Sequence, residues 1–282
     1  MNTSTYALVT GASSGIGKAM AIQLAEKGYN LVLVARSEKA LNEVAHEITE
    51  KYKVNALVFP ADLSVGSSPQ KIKDFCTEKN LPVSVLINNA GYAVFGLFDK
   101  TALDVQLDMI EVNNNAMVRL CHTFIPLLRE QQKAYIMNIA STAAFQAVPA
   151  MSLYAASKVF VITFTRGLQM ELAETGIHVC CVIPGPTATN FTDRAKMGQG
   201  LKDMAAKFEW PPAKVAKVAL RGMFAEAVEV IPGFMNSVSY AFIKLMPKRV
   251  AEKIAAGIYM KAIKEESGVR DKSITNPKAQ RS

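Results

Sequence analysis

Thr5-Tyr6-Ala7-Leu8-Val9-Thr10-Gly11-Ala12-Ser13-Ser14-Gly15-Ile16-Gly17 is the stretch that decides the fold. Residues 5–10 are a short apolar, β-branched run, the pattern of a buried strand. The glycines follow at once. From Lys18 to Lys27 the apolar positions Ala19, Ile22, Leu24 and Ala25 take helical spacing. Strand, glycine turn and helix in that order form the setting in which such a turn cradles a phosphate. Gly11 can take the tight turn, Gly15 lets a pyrophosphate approach the backbone, and Gly17 lets the helix pack close on the strand. The first N–H groups of the helix then face the phosphates. The spacing is GxxxGxG, not GxGxxG, so this segment taken alone also fits a glycine-rich turn without a ligand.

Outward from that unit, strand and helix patterns alternate to the end of the fold. Strands are expected at 5–10, 30–35, 54–59, 83–87, 134–139, 177–183 and 228–231. Helices are expected at 16–27, 38–52, 68–79, 102–130, 152–175 and 212–226, with a kink or end near Pro126. This predicts an α/β protein: a Rossmann-like, doubly wound parallel sheet of about seven strands with helices on both faces. Gly11, Arg36, Asp62, Asn89, Ser141 and Pro184 each fall just past a strand. Ligands of such sheets bind at the strands' carboxyl ends, where the topology switches.

A second constellation carries chemistry. Tyr154 and Lys158 are four residues apart in Ser152-Leu153-Tyr154-Ala155-Ala156-Ser157-Lys158, with Ser141 upstream. Helical spacing puts phenol and ammonium on one face. A free tyrosine has a pKa of about 10. A cation beside it is expected to lower that pKa toward the working range. A nearby serine hydroxyl can polarise a carbonyl or hold an alkoxide. The set suits proton transfer at a carbonyl oxygen, with the hydride supplied from the nucleotide end.

The second strand ends in Ala35-Arg36, where a carboxylate for a free ribose 2′-OH would otherwise stand. A guanidinium suits a 2′-phosphate, so NADP(H) is expected over NAD(H); a solvated loop charge is the alternative for Arg36. Asp62, after the third strand, either accepts from an adenine amino group or caps the next helix.

Together these residues resemble the short-chain dehydrogenase/reductase family in its single-domain branch. The matching segments are Thr10 to Gly17, Asp62-Leu63, Asn88-Asn89-Ala90-Gly91, Ser141, Tyr154-x-x-x-Lys158 and Pro184-Gly185-Pro186-Thr187, covering about residues 5–232. The resemblance implies that Tyr154 is the general acid in reduction and the base in oxidation. It implies that Lys158 holds the nicotinamide ribose and that Ser141 orients the substrate oxygen. A relay asparagine is implied within Val112-Asn113-Asn114-Asn115-Ala116, and the family pattern selects Asn113 with Ala116. Cofactor contacts are implied for Gly11, Ser13, Ser14, Gly15, Ile16 and Gly17, for Asp62 and Leu63, for Asn89, Ala90 and Gly91, and for Pro184, Gly185 and Thr187, the last at the carboxamide. The extra basic residue of some NADP-preferring members is absent, since Ser14 stands there. Ile231-Pro232-Gly233 and Met246-Pro247-Lys248-Arg249 are similar to bacterial 3-ketoacyl- and hydroxysteroid-type reductases, a weaker match.

Between Ser141 and Tyr154, Phe145, Val148 and Met151 are expected to wall an apolar pocket. Phe191 to Trp210 is expected to form a lid, with Phe191 on the substrate, or else a plain surface helix. A small hydrophobic carbonyl or alcohol is the expected substrate. Residues 1–233 are read as the oxidoreductase domain with a substrate loop at 185–210, followed by a helical extension at 234–266 and a disordered basic tail at 267–282. In the extension Val250, Ile254, Ile258 and Ala262 recur every fourth position among lysines. That stripe is expected to pack on the body or a second subunit, or to lie on an anionic membrane surface, or to meet a phosphate-rich carrier.

With 282 residues, half of them hydrophobic, one large domain can bury a full core. Net charge is +8, but residues 241–282 hold ten Lys/Arg against four Asp/Glu, so six of those charges belong to the end of the chain. The nearly neutral remainder argues against nucleic acid. No leader or spanning segment is read, and Cys76, Cys121, Cys180 and Cys181 have neither pairing nor metal-ligand spacing with the histidines. A reducing cytoplasm is expected, with a peripheral membrane contact through 234–265 as an option, no metal, and a homodimer or homotetramer as in the family. The rival readings are an NAD(H)-dependent alcohol dehydrogenase, an idle nucleotide-sensing protein and a membrane-surface interaction protein.

Overall fold

The computed structural model describes residues 5–245 and 247–274. β1 (Tyr6–Thr10), α1 (Gly15–Glu26), β2 (Asn30–Ala35), α2 (Glu38–Tyr52), β3 (Ala56–Pro60), α3 (Ser68–Glu78) and β4 (Val83–Asn88) form the first half. α4 (Leu103–Ile110), α5 (Ala116–Arg129), β5 (Ala134–Ile139), α6 (Ser152–Glu171), β6 (Ile177–Val182), α7 (Phe191–Arg194), α8 (Gln199–Ala206), α9 (Pro212–Phe224) and β7 (Glu229–Val230) form the second. α10 (Phe234–Leu245) and α11 (Lys248–Ile274) follow the sheet.

All seven strands are parallel, in the order β3-β2-β1-β4-β5-β6-β7. The sheet is the expected Rossmann-like one. Its direction of growth reverses between β1 and β4, so the crevice for a ligand opens beyond Thr10 and Asn88. The strands are apolar on both faces because helices cover both. One face packs Leu31, Leu33 and Met137 under α1, α2 and α9, and the other packs Leu86, Ile136 and Val179 under α3, α5 and α6.

The helix expected over 102–130 is interrupted. Glu111–Asn115 forms a π-helical turn between α4 and α5. Such a turn carries one residue more than an α turn, and it commonly marks a working site. Pro126 sits inside α5, which ends three residues later at Arg129. A chain of buried side chains ties the centre together: Asn88 Nδ2 donates to Asn138 Oδ1 at 2.8 Å, and Asn138 Nδ2 donates to Thr165 Oγ1 at 3.0 Å. These bonds lower the cost of burying the amides, although Asn88 Oδ1 is left without a partner among the described residues, and the bond to Thr165 ties α6 to β5. The four cysteines are free and buried.

The extension is helical but rotated from the expected register. Ala251 and Ala255, 2% exposed in the latter case, face the body, whereas Val250, Ile254 and Ile258 face outward, with Ile254 55% exposed. The four-residue period is present; the small alanines allow close approach of α11 to the domain, and the bulky stripe beside them is left outside. The helix also runs past the expected boundary at 266 as far as Ile274, and residues 275–282 of the expected tail lie outside the described residues.

Candidate active site

The glycine turn is held by its neighbour strand. Gly11 and Gly15 have φ of +66° and +57°, a region open to glycine at little cost. A Cβ on Gly17 would collide with the Gly11 carbonyl and the Asn89 amide. Asn89 Nδ2 donates to Thr10 O at 2.9 Å, and the Thr10 hydroxyl accepts from the backbone N–H groups of Asn89 and Ala90, each at 3.0 Å. Asn89 therefore acts first as the clamp that fixes the turn. A Cβ on Gly15 would lie 3.0 Å from Thr189 Cγ2, so the loop after β6 crosses the turn. That loop is shaped by Thr187, whose hydroxyl donates to Gly185 O at 3.0 Å, and by Thr142 N–H donating to Pro184 O at 3.0 Å.

At the outer end of the crevice Arg36 is exposed. Asp62 accepts from the Ser64 N–H and hydroxyl, both at 2.9 Å, and this, with Arg36 and Arg194 nearby, holds its carboxyl below the usual range. It caps its own turn and stays ionised. Leu63 is buried in the core, which leaves only its backbone to a ligand. Ser13 and Ser14 lie on the turn, and Ile16 packs half-buried on the core under α1.

The catalytic candidates meet at the ends of β4 and β5. Tyr154 and Lys158 are both buried on α6, and the ammonium lies 5.7 Å from the phenol ring centre. Lys158 Nζ donates to Ile139 O at 3.0 Å. Burial lowers the Lys158 pKa to about 8. Burial also raises the Tyr154 pKa to about 12, with the Ser141 hydroxyl beside it working the other way. The expected lowering of the tyrosine is thus reversed: desolvation outweighs its neighbours, and the ammonium is spent partly on the Ile139 carbonyl. Tyr154 is thereby kept neutral, with its proton, at neutral pH.

Asn113 is the asparagine of the triplet that faces this group. Its Oδ1 accepts from Tyr92 N–H at 3.0 Å and its Nδ2 donates to Tyr92 O at 2.9 Å. A Cβ on Gly91 would meet Asn113 Oδ1 at 2.9 Å and Lys158 Nζ at 3.6 Å, so all three converge. Asn114 bonds the backbone of Ser157 on α6, and Asn115 reaches Glu111 on the surface.

Val148, Met151 and Phe191 share an apolar cluster with Tyr154, and the Phe191 and Tyr154 ring centres are 5.7 Å apart. Phe145 stands apart from it and stacks on Tyr240 of α10 at 4.4 Å. The expected lid folds as α7 and α8 over the cluster, where Ala195 and Met197 pack inward while Met204 and Phe208 are exposed. Sequence reading missed three residues. Arg194 lies over the Tyr92 ring at 4.7 Å and pins the lid, and the Tyr92 hydroxyl bonds Asp108. Tyr259 of α11 joins the cluster from outside the sheet. Tyr92 follows Gly91 directly, which was a legible signal; Arg194 and Tyr259 carried none.

Residues 5–200 match the model of the short chain dehydrogenase family, and the chain belongs to that family. It is 38% identical over 197 residues to the very-long-chain 3-oxoacyl-CoA reductase of Anas platyrhynchos, an alignment covering 68% of this chain and 62% of that protein. It is 36% identical over 190 residues to the inactive hydroxysteroid dehydrogenase-like protein 1 of Homo sapiens, covering 66% and 57%. The chain thus spans about three-fifths of the length of these relatives. A short-chain dehydrogenase from Sphingobium yanoikuyae, solved in complex with NADPH, superposes with a TM-score of 0.75 at 26% identity, covering 99% of this chain and 98% of that one.

Asn113→Ala should destabilise the fold by about 2 kcal/mol, because it strands two buried backbone groups of Tyr92. Asn115→Ala should stay within about 0.5 kcal/mol. Urea unfolding of both variants checks the assignment.

Proposed function

We propose that this protein is an NADP(H)-dependent oxidoreductase that interconverts a carbonyl and a secondary alcohol on a small hydrophobic substrate. The observation that carries the reading is buried Tyr154 and Lys158 beside half-buried Ser141, with Tyr154 set in an apolar cluster at the same sheet edge as the glycine turn. The residues fit a nicotinamide dinucleotide. Gly11 and Gly15 take the required φ, α1 starts at the turn, and Gly91 leaves room between Asn113 and Lys158. When bound, that cofactor would supply the hydride. Gly11 to Gly17 and Thr189 would hold its pyrophosphate, and Arg36 its 2′-phosphate. The NADPH complex of the Sphingobium yanoikuyae relative supports this preference, with NAD(H) as the alternative.

The chain's own part is proton handling and orientation. Tyr154, protonated across the neutral range, gives its proton to the oxygen as negative charge develops there. Ser141 donates to the same oxygen. Lys158, charged below about pH 8, stabilises the phenolate left behind, and Asn113, buried beside it, would serve the proton relay. The apolar neighbours exclude water and select a hydrophobic substrate.

A catalytically idle nucleotide-binding protein is the second reading, favoured by the relatives named inactive. The intact catalytic set of this chain weighs against it. Exposed Leu103, Leu107 and Phe160 on α4 and α6 support a homodimer or homotetramer. Among the described residues no helix is long and apolar enough to cross a membrane. The exposed stripe of α11, in a basic segment, supports a peripheral contact with anionic lipid, in a cytoplasmic setting.

Tyr154→Phe should cut kcat by at least about a thousandfold with cofactor affinity unchanged. In the wild type, kcat/KM for reduction should stay level to about pH 8 and fall above it, because Lys158 is charged below its pKa and neutral above it. Arg36→Ala should weaken NADPH binding by about tenfold or more and leave NADH unaffected. Fluorescence of Trp210, the single tryptophan, reports both titrations, since its backbone bonds the loop over the glycine turn. Ile254→Glu should keep the melting temperature and reduce flotation with anionic vesicles; unchanged flotation would remove the lipid contact.

A further inference from the structure

The apolar cluster around Tyr154 receives one tyrosine from beyond the last strand of the sheet. α11 approaches the domain through Ala251 and Ala255, whose small side chains are buried. The next residue on that line, four positions on, is Tyr259. Side chains at i, i+4 and i+8 share a helix face, so the docking of the two alanines fixes where the phenol points. It enters the cluster formed by Val148, Met151, Tyr154 and Phe191. Tyr259 is half-buried, so its ring covers the apolar residues while its hydroxyl keeps the capacity to donate. No described residue bonds the Tyr259 hydroxyl, and its pKa is raised by burial alone. It is near enough to Tyr154 that ionising one would disfavour ionising the other.

The reacting oxygen has its own partners in Tyr154 and Ser141. A further donor in the same cluster has use for a different acceptor on the same molecule. The Tyr92 hydroxyl in the same cluster is already taken by Asp108, and Met109, Val148, Met151, Phe191 and Met197 are apolar. We propose that Tyr259 forms a second polar subsite, donating a hydrogen bond to a second oxygen of an otherwise apolar substrate, so that the enzyme prefers oxo compounds carrying another carbonyl or ester oxygen over simple ketones. The inference rests on the carbonyl-reductase reading of the site. It assigns substrate selection to the C-terminal extension and leaves proton transfer to the sheet edge.

The test compares two carbonyl compounds of equal chain length, ethyl 3-oxohexanoate and 4-nonanone, in the full-length wild type and in Tyr259→Phe. The phenylalanine keeps the ring and its packing and removes only the hydroxyl. The expected result is a loss of about tenfold in kcat/KM for the keto ester, mostly in KM, with less than about twofold change for the ketone. Taking the ratio of variant to wild type within each substrate cancels the greater intrinsic reactivity of the keto ester. An equal loss on both substrates would make Tyr259 a packing residue and overturn the inference, as would no loss on either. In both of those cases the wild type still reduces a carbonyl, so the reading of the site stands. A wild type that binds NADPH yet reduces neither compound overturns that reading and the subsite with it. Tyr259→Leu, which keeps an apolar filling without the ring, separates the roles further: the ketone should be retained and the keto ester lost to the same extent as in Tyr259→Phe.

Discussion

Nothing larger than a hydrogen atom fits between Gly17 and the Gly11 carbonyl, and the rest of the site depends on that closeness. It brings α1 down onto the turn, so the first N–H groups of the helix are aimed at one place. It also leaves room for the Asn89 amide to clamp the turn from β4. The two strands flanking the topological switch are thereby locked together at their carboxyl ends. Everything that handles a ligand is then placed by reference to them: the loop after β6 rests on Gly15, and Asn113 and Lys158 converge on Gly91.

A second constraint is the cost of burying charge. Lys158 and Tyr154 share an apolar setting, and each is driven toward its neutral form, the lysine down and the tyrosine up. At neutral pH the phenol is therefore neutral and the lysine's hold on its proton is weakened. The buried bond from Asn138 on β5 to Thr165 helps keep α6 in position, since a shift of the helix would leave the Asn138 amide without that partner.

Much of this was legible in the sequence because it follows from local rules. The strand–glycine–helix unit, the alternation that dictates a parallel sheet, and the i, i+4 pairing of Tyr154 with Lys158 each need only a short window of residues. What the window cannot hold was misread. The sign of the Tyr154 shift depends on burial, a sum over distant neighbours, so a rule about one adjacent cation gave the wrong direction. The π turn at Glu111–Asn115 rests on Asn113 and Asn114 bonding to Tyr92 and Ser157, contacts that periodicity does not report. On α11 two stripes share the same period. Size decided between them: alanines allow close approach, and the bulkier Val250, Ile254 and Ile258 stayed outside, although hydrophobicity alone ranked them first. Phe145 was placed by proximity in sequence to Tyr154, yet it turns to Tyr240 on a helix whose position no local pattern encodes.

The docking of α11 by two alanines separates the molecule's inheritance into two parts. The glycine turn, Asn113, Ser141, Tyr154 and Lys158 are spread over the first two hundred residues, where each depends on the others for its place. The far wall of the cluster is written in a few adjacent codons that follow them. A lineage could exchange that wall, by a point change at Tyr259 or by replacing the helix, without disturbing the packing at the sheet edge.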